Sequence, residues 1–269
     1  MHFLELPAVY ARLGGLLAGS VAKQVERVLP QPLACLARGI ASPIVGLLPL
    51  PIREGWALAH REEPQHPVLM VPGFMGPGFL LTPLAVFLRA HGRTVHVLST
   101  FPALGGVEAS AHRIVGAIAR LREETGAAQV DLVAHSMGGL ACRYYMNHLM
   151  ESPLVRRFVS IATPHKGTHL AHFPFTRSAK DMRPGGDLLA AMADRPPAEG
   201  VRCYTIRAGW DQIVVPRHHG RWEGHARDHE LPWAEHWAVQ LDPRTLALVL
   251  ALLEEDEPAE VIQEPVVSV

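Results

Sequence analysis

The sequence predicts an α/β protein, with a mostly parallel central sheet and helices on both of its faces. Two observations predict it. Short apolar, strand-like runs alternate with segments of helical periodicity through most of the chain. One such run, Val130-Asp131-Leu132-Val133, passes directly through Ala134-His135-Ser136-Met137-Gly138-Gly139 into a helical pattern. A third, composition, allows it: 48% of the 269 residues are hydrophobic, enough to bury one sizeable core.

Taken in order, the apolar residues Val9, Leu13, Leu17, Val21, Val25 and Val28 are spaced as one face of an amphipathic helix, with Arg12, Lys23, Glu26 and Arg27 left for the other side. A second apolar stretch, Leu33 to Leu50, contains Pro43 and Pro49 and reads as broken helix. Residues 1–51 are therefore expected to form a helical extension, either a cap on the main domain or an interfacial anchor beside a lipid-facing site. The main domain is expected over residues 52–254. Its strands are Val68–Val71, Thr94–Leu98, Val130–Val133, Val155–Ile161 and Arg202–Arg207. Helices are expected over Phe79–His91, over Val107–Thr125 with a stop at Gly126, and over Ala141–Met150. The last helix, Thr245–Leu253, has Asp242 as N-cap and Pro243 in its first turn. Residues 255–269 are acidic and proline-containing, and read as a loosely ordered tail.

The segment around Ser136 is where chemistry is expected. A strand–turn–helix with small residues two before and two after a serine, here Ala134 and Gly138, lifts the hydroxyl clear of the backbone: a nucleophile elbow. Such a serine needs partners. The strand ending in Val71-Pro72-Gly73-Phe74-Met75-Gly76 supplies a Gly-rich turn whose main chain can hold an oxyanion, which makes the N–H groups of Phe74 and Met137 the candidate oxyanion hole. Asp211 follows a late strand and is the candidate acid, placed to accept the Nδ1–H of a histidine. His236 stands just ahead of the last helix and is the candidate base, with His229 and His225 as alternatives.

Together these segments resemble the α/β-hydrolases, in particular bacterial lipases and esterases of the triacylglycerol lipase type. The resemblance rests on V-L-M-V-P-G-F, V-D-L-V-A-H-S-M-G-G, S-I-A-T-P-H-K-G-T, D-M-R-P-G-G-D-L-L, W-D-Q-I-V-V-P and E-H-W-A-V, which spread from about Val68 to Leu253. It implies the α/β-hydrolase fold and cleavage of a carboxylic ester through an acyl-enzyme on Ser136. It also implies that Thr163-Pro164 lies at the rim of the site. His135, Thr163, Pro164, Phe173 and Phe175 are the candidate substrate contacts. The chain departs from the pattern at Ala134, where glycine is usual, at Pro72, where many lipases have histidine, and at Gly186, where serine is common. None of these positions belongs to the triad. Acyl transfer and thioester cleavage would use the same machinery, and a non-catalytic lipid-binding scaffold is a third reading.

Composition narrows the rest. A formal net charge of −1 and scattered arginines give no basic patch for nucleic acid. Three cysteines, Cys35, Cys142 and Cys203, do not make a disulfide framework and read as buried thiols. His165, His169 and His172 have helical spacing, but Pro164 and Gly167 interrupt the helix a metal site would need, and no metal or other cofactor is expected. Met1-His2-Phe3-Leu4-Glu5 lacks the basic start of a secretory signal, which points to a cytoplasmic protein with peripheral membrane contact through the N-terminal helix as the alternative. The expected partner is a small acyl ester or lipid.

Overall fold

A computed structural model describes residues 66–255, apart from 77, 100–102, 174–175 and 194. The expected N-terminal extension, the tail beyond Glu255 and Phe175 lie outside the described residues. Six strands form a parallel sheet: β1 (Val68–Val71), β2 (Val95–Val97), β3 (Val130–His135), β4 (Val155–Ile161), β5 (Arg202–Ala208) and β6 (Arg227–Leu231), in the order β2-β1-β3-β4-β5-β6. The helices are α1 (Thr82–Ala90), α2 (Gly106–Thr125), α3 (Met137–Tyr144), α4 (Arg177–Asp181), α5 (Asp187–Ala193) and α6 (Pro243–Glu254). A single 3-10 turn, Gly78–Leu81, precedes α1, and a π-helical turn, Tyr145–Leu149, extends α3.

Alternation along the central strands divides the core. Leu69, Val71, Leu132 and Ala134 share one buried cluster with Ile114 and Ile118 of α2 and Leu140 of α3. Val68, Met70 and Val133, at the alternate positions, are equally buried but point to the opposite face. Strands covered on both sides read as continuous apolar runs, which is how β1 and β3 appear in the sequence. Gly126 closes α2 in the left-handed conformation (φ 69°), and the Asp242 side chain accepts from Arg244 N at the start of α6, as local signals predict.

Strand β6 was not expected. Arg227-Asp228-His229-Glu230-Leu231 has one apolar side chain and an exposed sheet edge. Ion pairs from the buried Arg207 of β5 to Asp228 (2.8 Å) and Glu230 (2.7 Å) stitch it on, a feature that hydrophobic periodicity does not register. On the central strand β3, fully buried Asp131 accepts from Arg93 at 2.5 Å and from Arg156 at 2.7 and 3.0 Å, tying β3 to β4 and to the loop after α1. Cys142 and Cys203 are buried free thiols. Among the described residues, no helix is long and apolar enough to cross a membrane.

Candidate active site

Because all six strands run the same way, the loops that follow them gather at one edge of the sheet, and the candidate residues gather there with them. Ser136 is the turn between β3 and α3. Its backbone has φ 53° and ψ −127°, a conformation that favours glycine, and it is held there by Ser136 N donating to Ile161 O at 2.8 Å. The neighbouring glycines are required by contact. A Cβ on Gly138 would lie 2.5 Å from Val71 O and 2.6 Å from Pro72 O, so only glycine lets the elbow press against the end of β1.

His236 meets both partners. Its Nε2 lies 3.0 Å from Ser136 Oγ, and its Nδ1 lies 2.9 and 3.1 Å from the two Asp211 oxygens. Asp211 is fixed in turn by main-chain N–H groups: Oδ1 accepts from Ile213 N at 2.8 Å and Val214 N at 2.7 Å. With Nδ1–H donated to the carboxylate, Nε2 carries a lone pair toward the serine hydroxyl. All three side chains are buried, which strengthens these charge-linked contacts. His229 instead lies on β6, in register with Ile206, and the His225 ring packs 5.7 Å from Trp222.

The Phe74 and Met137 amides lie at the end of β1 and the start of α3, and neither has an intramolecular acceptor among the described residues. His135, Thr163 and Pro164 are buried. The polar atoms of the first two go to the main chain of the site: His135 Nε2 lies 3.0 Å from His236 O, and Thr163 Oγ1 donates to Ser136 O at 3.0 Å. Burial, with His236 nearby, pushes the His135 imidazole down to about 3, so it is neutral and donates Nε2–H to that carbonyl. Phe173 is 77% exposed. Other exposed apolar side chains on the strand-following loops are Met75, Trp210, Trp233 and Trp237.

His165 is drawn away from any metal role. Its Nε2 pairs with Ser160 Oγ at 2.9 Å, its ring stacks on Trp222 at 5.3 Å, and burial followed by the charge of Arg143 holds it well below the usual histidine range. His169 and His172 sit on a separate 3-10 turn. Among the described residues, no three His, Cys, Asp or Glu side chains are arranged to hold a metal ion.

A family profile described as the alpha/beta hydrolase fold matches residues 67–183, from just before β1 through the Gly-rich turn after it and the elbow to the segment after α4. The chain has the α/β-hydrolase fold. Over 117 residues it is 30% identical to a triacylglycerol lipase of Pseudarthrobacter phenanthrenivorans and 30% identical to one of Burkholderia plantarii, in each case over 40% of this chain. The matches span 36% and 32% of those proteins, about a third of their length. Among solved structures, the mature lipase BlEst2 of Bacillus licheniformis has the same fold at 14% identity, with a TM-score of 0.63 over 73% of this chain and 95% of that one. Lipase B of Aspergillus fumigatus is similar at 19% identity, with a TM-score of 0.63 over 73% of this chain and 54% of that one.

Within this fold the contacts of His135 and Thr163 escape sequence reasoning. Both precede or follow recognisable motifs, but which main-chain oxygen each would reach depends on segments 101 and 27 residues away. Arg143 is a further case. It is buried with no carboxylate partner among the described residues, spans from His165 O to Met192 O at 3.0 Å each, and lies 4.4 Å over the Trp222 ring. Burial pulls its guanidinium down to about 10.

Proposed function

We propose that the protein cleaves carboxylic esters through a Ser136–His236–Asp211 triad and an acyl-enzyme intermediate. The observation that carries this reading is the continuous path from Ser136 Oγ through His236 to Asp211, at 3.0 and 2.9 Å. His236 Nε2 takes the hydroxyl proton as Ser136 Oγ bonds to the ester carbonyl carbon. The carbonyl oxygen becomes an oxyanion, held by the N–H groups of Phe74 and Met137; one such donor is worth about 2.7–4 kcal/mol. As the tetrahedral intermediate collapses, His236 returns the proton to the leaving alcohol. Water then repeats the cycle on the acyl-serine. Asp211 stays ionised and stabilises the imidazolium.

The surroundings support one substrate class. Trp233 is 83% exposed, Phe173 77% and Trp210 61%, all on loops at the edge of the sheet that carries Ser136. Such a rim favours an ester with an aliphatic acyl chain presented at an apolar surface. The triacylglycerol lipase similarity favours the same class. The test is hydrolysis of p-nitrophenyl esters from acetate to palmitate, with fluorophosphonate labelling alongside. Wild type should turn the esters over and be labelled, and Ser136→Ala should do neither while its circular dichroism is unchanged. Full turnover by Ser136→Ala would refute the assignment. A chain-length optimum at the long esters identifies a lipase, and one at the short esters an esterase.

A further inference from the structure

We infer that Thr163 is a positioning residue whose hydroxyl aims the Met137 amide into the oxyanion hole. The oxyanion donor and the atom that Thr163 touches belong to one peptide unit, Ser136 C=O and Met137 N–H. Among the described residues the single cis bond is Val215–Pro216, so this unit is trans, and its C=O and N–H point in opposite directions. Two donors hold the oxygen: Thr163 Oγ1 at 3.0 Å and Gly139 N at 3.0 Å. Fixing the oxygen fixes the N–H on the far side of the same plane. A carbonyl that accepts hydrogen bonds also makes its own N–H a stronger donor, because the peptide polarises as a whole.

The packing shows why a threonine fills this position. Thr163 is 2% exposed and follows Ala162, whose φ of 48° turns the chain sharply at the end of β4. A Cβ on Gly139 would lie 2.0 Å from Thr163 Oγ1 and 2.7 Å from its Cγ2. The second glycine of the elbow therefore makes the space that Thr163 occupies. Threonine's β-branch sets the hydroxyl in one rotamer there, with its methyl group against α3. The Thr163 hydroxyl is buried and donates to main chain.

The effect on catalysis rests on the hydrolase reading above, whereas the alignment of the amide does not, and the experiment separates them. Thr163→Val keeps the branch and removes the donor, Thr163→Ser keeps the donor, and Thr163→Ala removes the donor without added bulk. In Thr163→Val, or in Thr163→Ala if the valine variant does not fold, kcat should fall about tenfold at unchanged KM. The inhibition constant of a trifluoromethyl ketone, which forms an oxyanion on the serine, should rise by the same factor. Thr163→Ser should restore both. In ¹⁵N-labelled protein the Met137 amide resonance should move more than those of other α3 residues in the donor-less variants, and return in Thr163→Ser. A raised KM with kcat intact, or an unmoved Met137 resonance in a folded variant, overturns the inference. If wild type cleaves no ester but the resonance moves and returns, the hydrolase reading fails and the alignment stands.

Discussion

The strained elbow makes a stability prediction that activity cannot confuse. Ser136 sits at φ 53°, ψ −127°, a conformation that costs a non-glycine residue about 1–3 kcal/mol. It cannot relax, because Ser136 N is tied to Ile161 O and Ser136 O to Thr163 and Gly139. Ser136→Ala keeps the Cβ and the strain. Ser136→Gly removes both. Each variant lacks the hydroxyl that faces His236, so their difference isolates the backbone. Glycine's extra freedom in the unfolded chain returns about 0.5–1 kcal/mol of the gain. The net is about 0.5–2 kcal/mol in favour of Ser136→Gly, or roughly 1–8 °C in Tm for a domain of this size. Differential scanning calorimetry of the two variants near neutral pH measures it directly. A Tm for Ser136→Ala equal to or above that of Ser136→Gly would show that the elbow stores no more strain than glycine's freedom costs, about 0.5–1 kcal/mol, and would refute the reasoning.

Three further outcomes follow from the contacts. In Asp211→Asn, the amide oxygen stays with Ile213 N and Val214 N, so the NH₂ group faces His236 Nδ1 and shifts the ring proton to Nε2; kcat should fall on the order of 10⁴-fold, and a loss of less than tenfold refutes the tautomer argument. Asp131→Asn leaves buried Arg93, and the partly exposed Arg156, without their carboxylate and should cost about 3–5 kcal/mol in urea unfolding, with unchanged labelling of Ser136; a cost below about 1 kcal/mol counts against the cluster as a lock on β3. His135, at about 3, and His165, well below the usual range, are neutral in the folded protein but take protons in the unfolded chain below about 6.5. Stability is therefore complete above about pH 6.5 and falls as the pH drops, by about 1.4 kcal/mol per unit for each group. Urea midpoints that do not change between about pH 7 and 5 would contradict this, and His135→Gln should flatten the slope.

Legibility followed the range of the interactions. The elbow was readable because its requirements lie within a few residues: Ala134 and Gly138 leave room for the turn, and the apolar run before it is a strand buried on both faces. The caps at Gly126 and Asp242 were readable for the same reason. Strand β6 was not, since charge pairing with Arg207 rather than apolar alternation holds it. Nor were the contacts of Thr163 and His135. A polar residue beside a motif reads as facing substrate, whereas burial turned both toward main-chain oxygens. Asp181 is similar: it looks like part of a loop motif, and its carboxylate accepts from Val107 N at 2.8 Å, capping the 20-residue helix α2 from 74 positions away.

By itself, the amino-acid sequence determined the class of fold, and it pointed to a candidate nucleophile and to the order of its candidate partners. These depend on periodicity, turn sterics and chain order, which are properties of neighbouring residues. Only the tertiary structure decided which of the downstream histidines faces the serine. His236 lies 100 residues from Ser136 and 25 from Asp211, yet within 3.0 and 2.9 Å of them. Contacts over such separations exist only once the parallel sheet has brought its loops to one edge, and no local rule can supply that closure.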